Sequence, residues 1–249
     1  MFGVIAETDV EARATVEAAR AAVDQPHEAV FVQSPGATLG LLIDTATGAR
    51  EAFHHGSGRD CAAIAGAITT NGRPPEGTEA AATLLRMAND DALDRAHDLS
   101  GLFAAAIWQG ESGRLTLLSD WIGGIHQLFH ARTPAGFIFG TDAHSMLASG
   151  AWGGKVDDCA LGQYLDFGHS LPPGTLFEGI LKLPAGCQLS YHAGEVQVRR
   201  TYRPGFSSNG DLGNAAGRLR DAHREAVARC MRSSGEVGAF LSGGLDSSL

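Results

Sequence analysis

Several things are scarce or missing in this chain, and each absence removes a class of function. Only four cysteines occur, Cys61, Cys159, Cys187 and Cys230, with no C-x-x-C and no Cys/His pair at ligand spacing. A zinc ribbon and a disulfide framework are thereby excluded, and the thiols read as the reduced cysteines of a cytoplasmic protein. Basic residues are also few: 19 Lys and Arg stand against 28 Asp and Glu, a net charge of −9. With no basic stripe to neutralise phosphates, a dedicated nucleic-acid binder is not expected. Aromatic residues make up 7% of the chain, and the three tryptophans have no basic residues interleaved with them as a base-stacking platform would. No run reaches the ~18 apolar residues of a spanning helix, and the start, MFGVIAETDVEAR, lacks a basic n-region. Secretion and membrane insertion are not expected. Repeats and low-complexity tails are absent, and so is any G-x-x-x-x-G-K-[ST].

What is present is an ordinary globular composition. The 249 residues are 44% hydrophobic and 19% charged, enough for one large domain and a smaller unit. Strands are expected over residues 2–6, 28–33 and 37–44, and residues 62–70 form another apolar run. Thr8 with Glu11 is a capping box opening a helix to about Val23. Helical spacing covers residues 78–89, with a second short helix over 91–97. Strand-like runs at 102–108, 114–120, 127–130 and 136–141, joined by glycine-bearing links, predict an antiparallel meander. A helix over 157–167 and a hairpin of 188–192 with 195–201 across Ala193-Gly194 follow. Residues 204–210 (PGFSSNG) have the composition of a linker. Asp211 is placed to cap an amphipathic helix with Leu212, Ala215, Leu219, Ala222, Ala226, Val227 and Cys230 on one face. Locally paired strands followed by a helix and a buried run point to an α+β domain and then an α/β one. His54-His55, His126 and His130 read as strand-end and turn residues, because neighbours in a strand point to opposite faces.

The last fifteen residues, GEVGAFLSGGLDSSL, carry the strongest chemical signal. Residues 237–241 have the length and apolarity of a buried parallel strand. Gly243-Gly244 allows positive φ, so successive N–H groups can converge on an anion. Ser242, Ser247 and Ser248 add hydroxyl donors, and Asp246 suits a cation such as Mg²⁺ accompanying a nucleotide. The loop, with Leu241 leading into it, reads as a pyrophosphate cradle and is not a G-x-G-x-x-G turn.

LSGGLDSS resembles the ATP-pyrophosphatase loop of the asparagine synthetase family. Other blocks resemble the class II glutamine amidotransferase domain of that family. Leu99 to Trp108 is similar to L-x-G-x-F-A-F-A-[IL]-[WY], and Ser119-Asp120 with Gly124-Ile125 and Leu128-Phe129 to R-D-x-x-G-I-K-P-L-Y-Y. Residues 137–142 are similar to F-x-F-A-S-E. Tyr164-Leu165, residues 176–180 and 182–186 are similar to the stretch that asparagine synthetases carry between their domains. The blocks run in order over roughly residues 60 to 249.

The resemblance implies a four-layer αββα sandwich of the N-terminal-nucleophile type over residues 1–205. Residues 206–249 would be the first helix, strand and phosphate loop of an α/β ATP-pyrophosphatase domain, in a fragment or a truncated gene. It also implies ATP and Mg²⁺ as cofactors, with a small-molecule or peptide carboxylate as substrate. The oligomeric state is left open between a homodimer and a complex with a partner protein. The chain departs from the family where glutamine is hydrolysed. Phe2 stands in place of the nucleophilic cysteine, the glutamine-gripping Asn and Asp fall at Thr70 and Glu79, and the Arg and Pro of the second block are Ser119 and Gln127. The expected activity is carboxylate adenylation followed by amide formation, without glutamine hydrolysis, as in lasso-peptide cyclases and β-lactam synthetases. The alternatives are a glutamine-hydrolysing asparagine synthetase and a non-catalytic remnant that binds a partner.

Overall fold

The computed structural model describes residues 1–23, 27–44, 51–69, 78–123, 125–134, 136–206, 212–231, 238 and 241–245. The chain falls into two units, one of residues 1–68 with 75–204, the other of residues 69–74 with 205–249.

The first unit is built on two six-stranded sheets. One sheet has the order β10 (Leu181–Leu183), β8 (Leu128–Thr133), β9 (Gly136–Gly140), β1 (Phe2–Ala6), β3 (Ala37–Asp44), β2 (His27–Ser34). The other runs β12 (Glu195–Arg200), β11 (Cys187–His192), β7 (Arg114–Ser119), β6 (Ser100–Gln109), β5 (Cys61–Thr69), β4 (Glu51–His55). Period-2 alternation explains the layering. On β1, Met1 and Ile5 enter the core between the sheets, while Phe2, Val4 and Ala6 face α1 (Asp9–Arg20) and α3 (Ala143–Ala148). On β6, Ala104, Ala106 and Trp108 point between the sheets, and Phe103, Ala105 and Ile107 meet α2 (Thr78–Asn89) and a 3-10 turn, Leu93–Asp98. The result is the expected αββα sandwich. Trp108 joins the layers with an indole N–H donated to Ser34 Oγ at 3.1 Å.

Local signals worked as expected at several termini. Thr8 Oγ1 accepts from the Glu11 N–H at 3.2 Å and donates to the Glu11 carboxylate at 2.8 Å. Asp157 caps α4 (Asp158–Phe167), accepting from the Ala160 N–H at 2.8 Å.

Other expectations are corrected. The four-strand meander is two hairpins in different sheets, since β6 pairs with β7 in one and β8 with β9 in the other. After β7 the chain passes to the other sheet instead of turning a hairpin. The short helix expected over 91–97 is the 3-10 turn.

The second unit holds a 3-10 turn, Leu212–Asn214, and α5 (Ala215–Cys230); Asp211 lies outside the described residues. The apolar side of α5 is uncovered, with Leu219 72% and Val227 47% exposed. Gly238 and Leu241 belong to no strand and are exposed, where a buried strand was expected; Val237, Ala239 and Phe240 lie outside the described residues. A strand of the parallel type needs ladder partners on both sides, and among the described residues of this unit there are none.

Candidate functional site

The resemblance places the nucleophile at the start of β1. Phe2 pairs with Leu42 of β3 and Gly140 of β9, at the centre of its sheet. Its ring is 1% exposed in the cluster that holds Val16, Met146 and Ile180. The strand end is tied to β9. The Met1 ammonium donates to Thr141 Oγ1 at 3.1 Å, and Thr141 returns its N–H to the Met1 carbonyl at 2.9 Å. A phenyl ring offers no atom for attack on an amide carbon. No other described cysteine substitutes for it. Burial, and then the charge of Asp60, push the Cys61 thiol up to about 12. Burial also raises Cys187, and Cys159 is exposed on α4.

The resemblance assigns the gripping of glutamine to the positions of Thr70 and Glu79. Glu79 lies exposed in the first turn of α2, and Thr70 falls outside the described residues. Ser119 is buried, its hydroxyl 3.4 Å from the Asp120 carbonyl. Gln127 is half-buried just before β8.

The retained motif residues build the scaffold of the site. Asp120 is 3% exposed, and its carboxylate accepts from the N–H groups of Phe103 (2.9 Å), Ile122 (2.7 Å) and Gly123 (2.6 Å). Its carbonyl accepts from the Gly186 N–H at 2.8 Å, so one residue fixes the crossing between layers. Gly101 holds φ +142°, and a Cβ there would lie 2.1 Å from the Ala67 carbonyl oxygen. This explains the glycine of the first block. Burial alone would raise the Asp142 carboxyl. Hydrogen bonds from the Ser145 N–H and hydroxyl and from the His144 N–H outweigh it and hold the group below its usual value. Asp142 thereby caps α3, a helix that sequence patterning missed; the signal was Asp142 followed three residues on by Ser145.

In the second unit, Leu241, Ser242, Gly243 and Gly244 form an exposed turn. Gly243 has φ +75°, and a Cβ there would meet nothing within 4 Å. The Gly244 N–H points to Ser242 Oγ at 3.4 Å. An open left-handed glycine followed by a second one fits a cradle for phosphate oxygens. Asp246, Ser247 and Ser248 lie outside the described residues. Among the described residues there is no group of three His, Cys, Asp or Glu side chains that could hold a metal ion, and no helix long and apolar enough to cross a membrane.

Comparison with known proteins bears on the family and the fold. The asparagine synthase family matches residues 218–249. Asparagine synthetase [glutamine-hydrolyzing] 3 of Bacillus subtilis is 29% identical over 152 residues, 60% of this chain and 25% of that protein. A putative asparagine synthetase [glutamine-hydrolyzing] of Mycobacterium tuberculosis is 30% identical over 158 residues, 60% of this chain and 24% of that protein. The chain spans about a quarter of the length of these relatives. The solved glutamine phosphoribosylpyrophosphate amidotransferase of B. subtilis, complexed with ADP and GMP, superposes with TM-score 0.50 at 11% identity, over 82% of this chain and 49% of that one. An allosteric regulatory enzyme of purine biosynthesis gives TM-score 0.52 at 12% identity, with the same coverage. These two likenesses are of fold, that of N-terminal-nucleophile-type amidotransferases. The glutamine amidotransferase domain family matches residues 67–203, more than half of the sequence; with the start of an asparagine synthase domain behind it, the chain belongs to that family in its asparagine-synthetase-like form.

Proposed function

We propose that this chain is the N-terminal part of an ATP-dependent carbon–nitrogen ligase whose glutaminase half is inactive. The observation that carries this is Phe2, buried on β1 where hydrolysis of glutamine would need a thiol. A ligase of this kind takes its amine from a second substrate or from another part of the same substrate, as lasso-peptide cyclases do. A carboxylate oxygen attacks the α-phosphorus of ATP and pyrophosphate leaves; the amine then attacks the acyl carbon of the acyl-adenylate and AMP leaves.

The residues present divide that work. Ser242, Gly243, Gly244, Ser247 and Ser248 hold the departing pyrophosphate through N–H and hydroxyl donors, where charge grows as the P–O bond breaks. Leu241 leads the chain into this turn, and Asp246 is the ligand for Mg²⁺. The metal, when bound, neutralises phosphate charge. The test is carboxylate-dependent ATP–pyrophosphate exchange by the product of the complete reading frame. Asp246→Asn is expected to abolish exchange; wild-type exchange in that variant refutes the assignment.

A second reading is a glutamine-hydrolysing asparagine synthetase. It is favoured by the names of the relatives and opposed by Phe2. Release of glutamate from glutamine separates the two. The uncovered apolar side of α5 favours a third, a binding domain without catalysis, which predicts no exchange at all.

A further inference from the structure

Each sheet ends in an edge strand on either side: β10 and β2 in one, β12 and β4 in the other. An edge strand presents unpaired N–H and C=O groups, which accept a further strand where the side chains fit. β12 pairs with β11 over all six of its residues without a bulge and contains no proline. Which of its backbone groups are free follows from alternation. The ladder with β11 continues to Thr201, whose N–H donates to the Gly186 carbonyl at 2.8 Å. The N–H and C=O groups of Glu195, Gln197 and Arg199 therefore face β11, and those of Val196, Val198 and Arg200 point away from it. Among the described residues nothing pairs with the outward set.

The side chains are sorted as well. Leu189 and Tyr191, opposite Val198 and Val196, belong to the core between the sheets or pack against it. Val196 and Val198 are thus on the inner face, and Glu195, Gln197 and Arg199 on the outer. Val196 still packs on the core, whereas Val198, nearer the rim, is 51% exposed. Glu195 and Arg199 are exposed and, among the described residues, have no ion-pair partner. Charges on an edge ordinarily keep other strands away. Here one of each sign stands two residues to either side of Gln197 on the same face, so the strand is complementary to itself. The other edges lack this property. β10 has three residues, and β2 and β4 carry Glu28 and Glu51 with no Lys or Arg on the strand to meet them.

We infer that β12 is a self-association edge, on which a second copy of this chain adds its own β12 antiparallel about a twofold axis at Gln197, joining the two sheets into one. In this register Glu195 faces Arg199 of the second copy, Val196 faces Val198, and Gln197 faces Gln197. Val196 and Val198 form the hydrogen-bonded pairs, as their outward N–H and C=O groups require. The contact is isologous, so each charge pair and each valine pair occurs twice. Arg199 donates one N–H to Gln188 Oε1 at 3.2 Å and has further donors for the carboxylate. Val198 is covered by Val196 of the second copy. Neither Phe2 nor the turn at Gly243 takes part, so the pairing stands whatever the outcome of the glutaminase and exchange assays.

Sedimentation velocity of the 249-residue chain over ~1–100 μM tests the edge, and a monomer–dimer equilibrium is expected. Val198→Pro removes an N–H that faces away from β11, a place where an edge strand tolerates proline. It is expected to give a monomer with the circular dichroism of the wild type. Glu195→Arg sets like charges opposite each other at both symmetry-related pairs and is expected to weaken the dimer by about tenfold; adding Arg199→Glu is expected to restore it. Cysteines read the register. With Cys159 and Cys230 replaced by serine, Gln197→Cys is expected to link two copies on mild oxidation, since residues of a close, non-hydrogen-bonded pair suit a disulfide, and Val198→Cys is not. A monomer at every concentration overturns the inference. A dimer unchanged by Val198→Pro also overturns it, because the contact would then lie elsewhere, as on the uncovered side of α5. Failure of Arg199→Glu to rescue Glu195→Arg, or linking by Val198→Cys and not by Gln197→Cys, overturns it too.

Discussion

Replacing Asp120 by alanine removes the acceptor of three backbone N–H groups. The Phe103 N–H is buried with its acceptor, so it loses the full desolvation cost of an unsatisfied donor, about 1–3 kcal/mol. Those of Ile122 and Gly123 are partly reachable by water, and each loses about 1 kcal/mol. The combined loss is about 3–5 kcal/mol, a large share of the ~5–15 kcal/mol by which a domain is stable. Asp120→Asn is the finer probe. One amide oxygen can still take the Ile122 and Gly123 N–H groups, but an NH₂ then faces the Phe103 donor. The asparagine variant is therefore expected to lose less, about 1–3 kcal/mol. Urea unfolding followed by tryptophan fluorescence measures both, with the slope checked to be that of the wild type. A loss below about 1 kcal/mol for Asp120→Ala, or a larger loss for asparagine than for alanine, refutes the claim that this carboxylate anchors the crossing between layers.

Gly101→Ala is expected to cost about 3 kcal/mol or more, since the new methyl meets the Ala67 carbonyl at 2.1 Å and φ stays at +142°; differential scanning calorimetry reads it as a lower Tm. His130 gives a pH dependence of known sign. Burial between the sheets pushes it down to about 4, from an ordinary value of 6.5. Between those values the unfolded chain binds the extra proton, so stability is full above pH 6.5 and falls as pH drops toward 4, by about 2–3 kcal/mol. His130→Phe, stacked on Phe137 as the histidine is, is expected to flatten that part of the stability–pH curve; an unchanged slope contradicts the burial account.

Much of the fold was legible because alternation and helical spacing are local. The limits of β3 and α2 match the apolar pattern residue for residue, and the capping box at Thr8 opens α1. What escaped depends on distant partners. β10 is three residues long and exists only through its pairing with β8, and α3 has six residues, too few for a period to show. That β7 and β8 lie in different sheets follows from the bonds at Asp120, which the spacing of strands does not reveal. At the site, the position that the resemblance gives to the nucleophile, Phe2, could be read from a single residue. The tie between Met1 and Thr141 could not, because it joins residues 140 positions apart.

The most direct test of an inactive glutaminase half is release of glutamate from L-glutamine by this chain, followed by mass spectrometry. With Phe2 buried on β1 and no cysteine in its cluster among the described residues, no release above the uncatalysed rate is predicted. Turnover that persists through purification to homogeneity, and that covalent glutamine analogues block, would contradict the account.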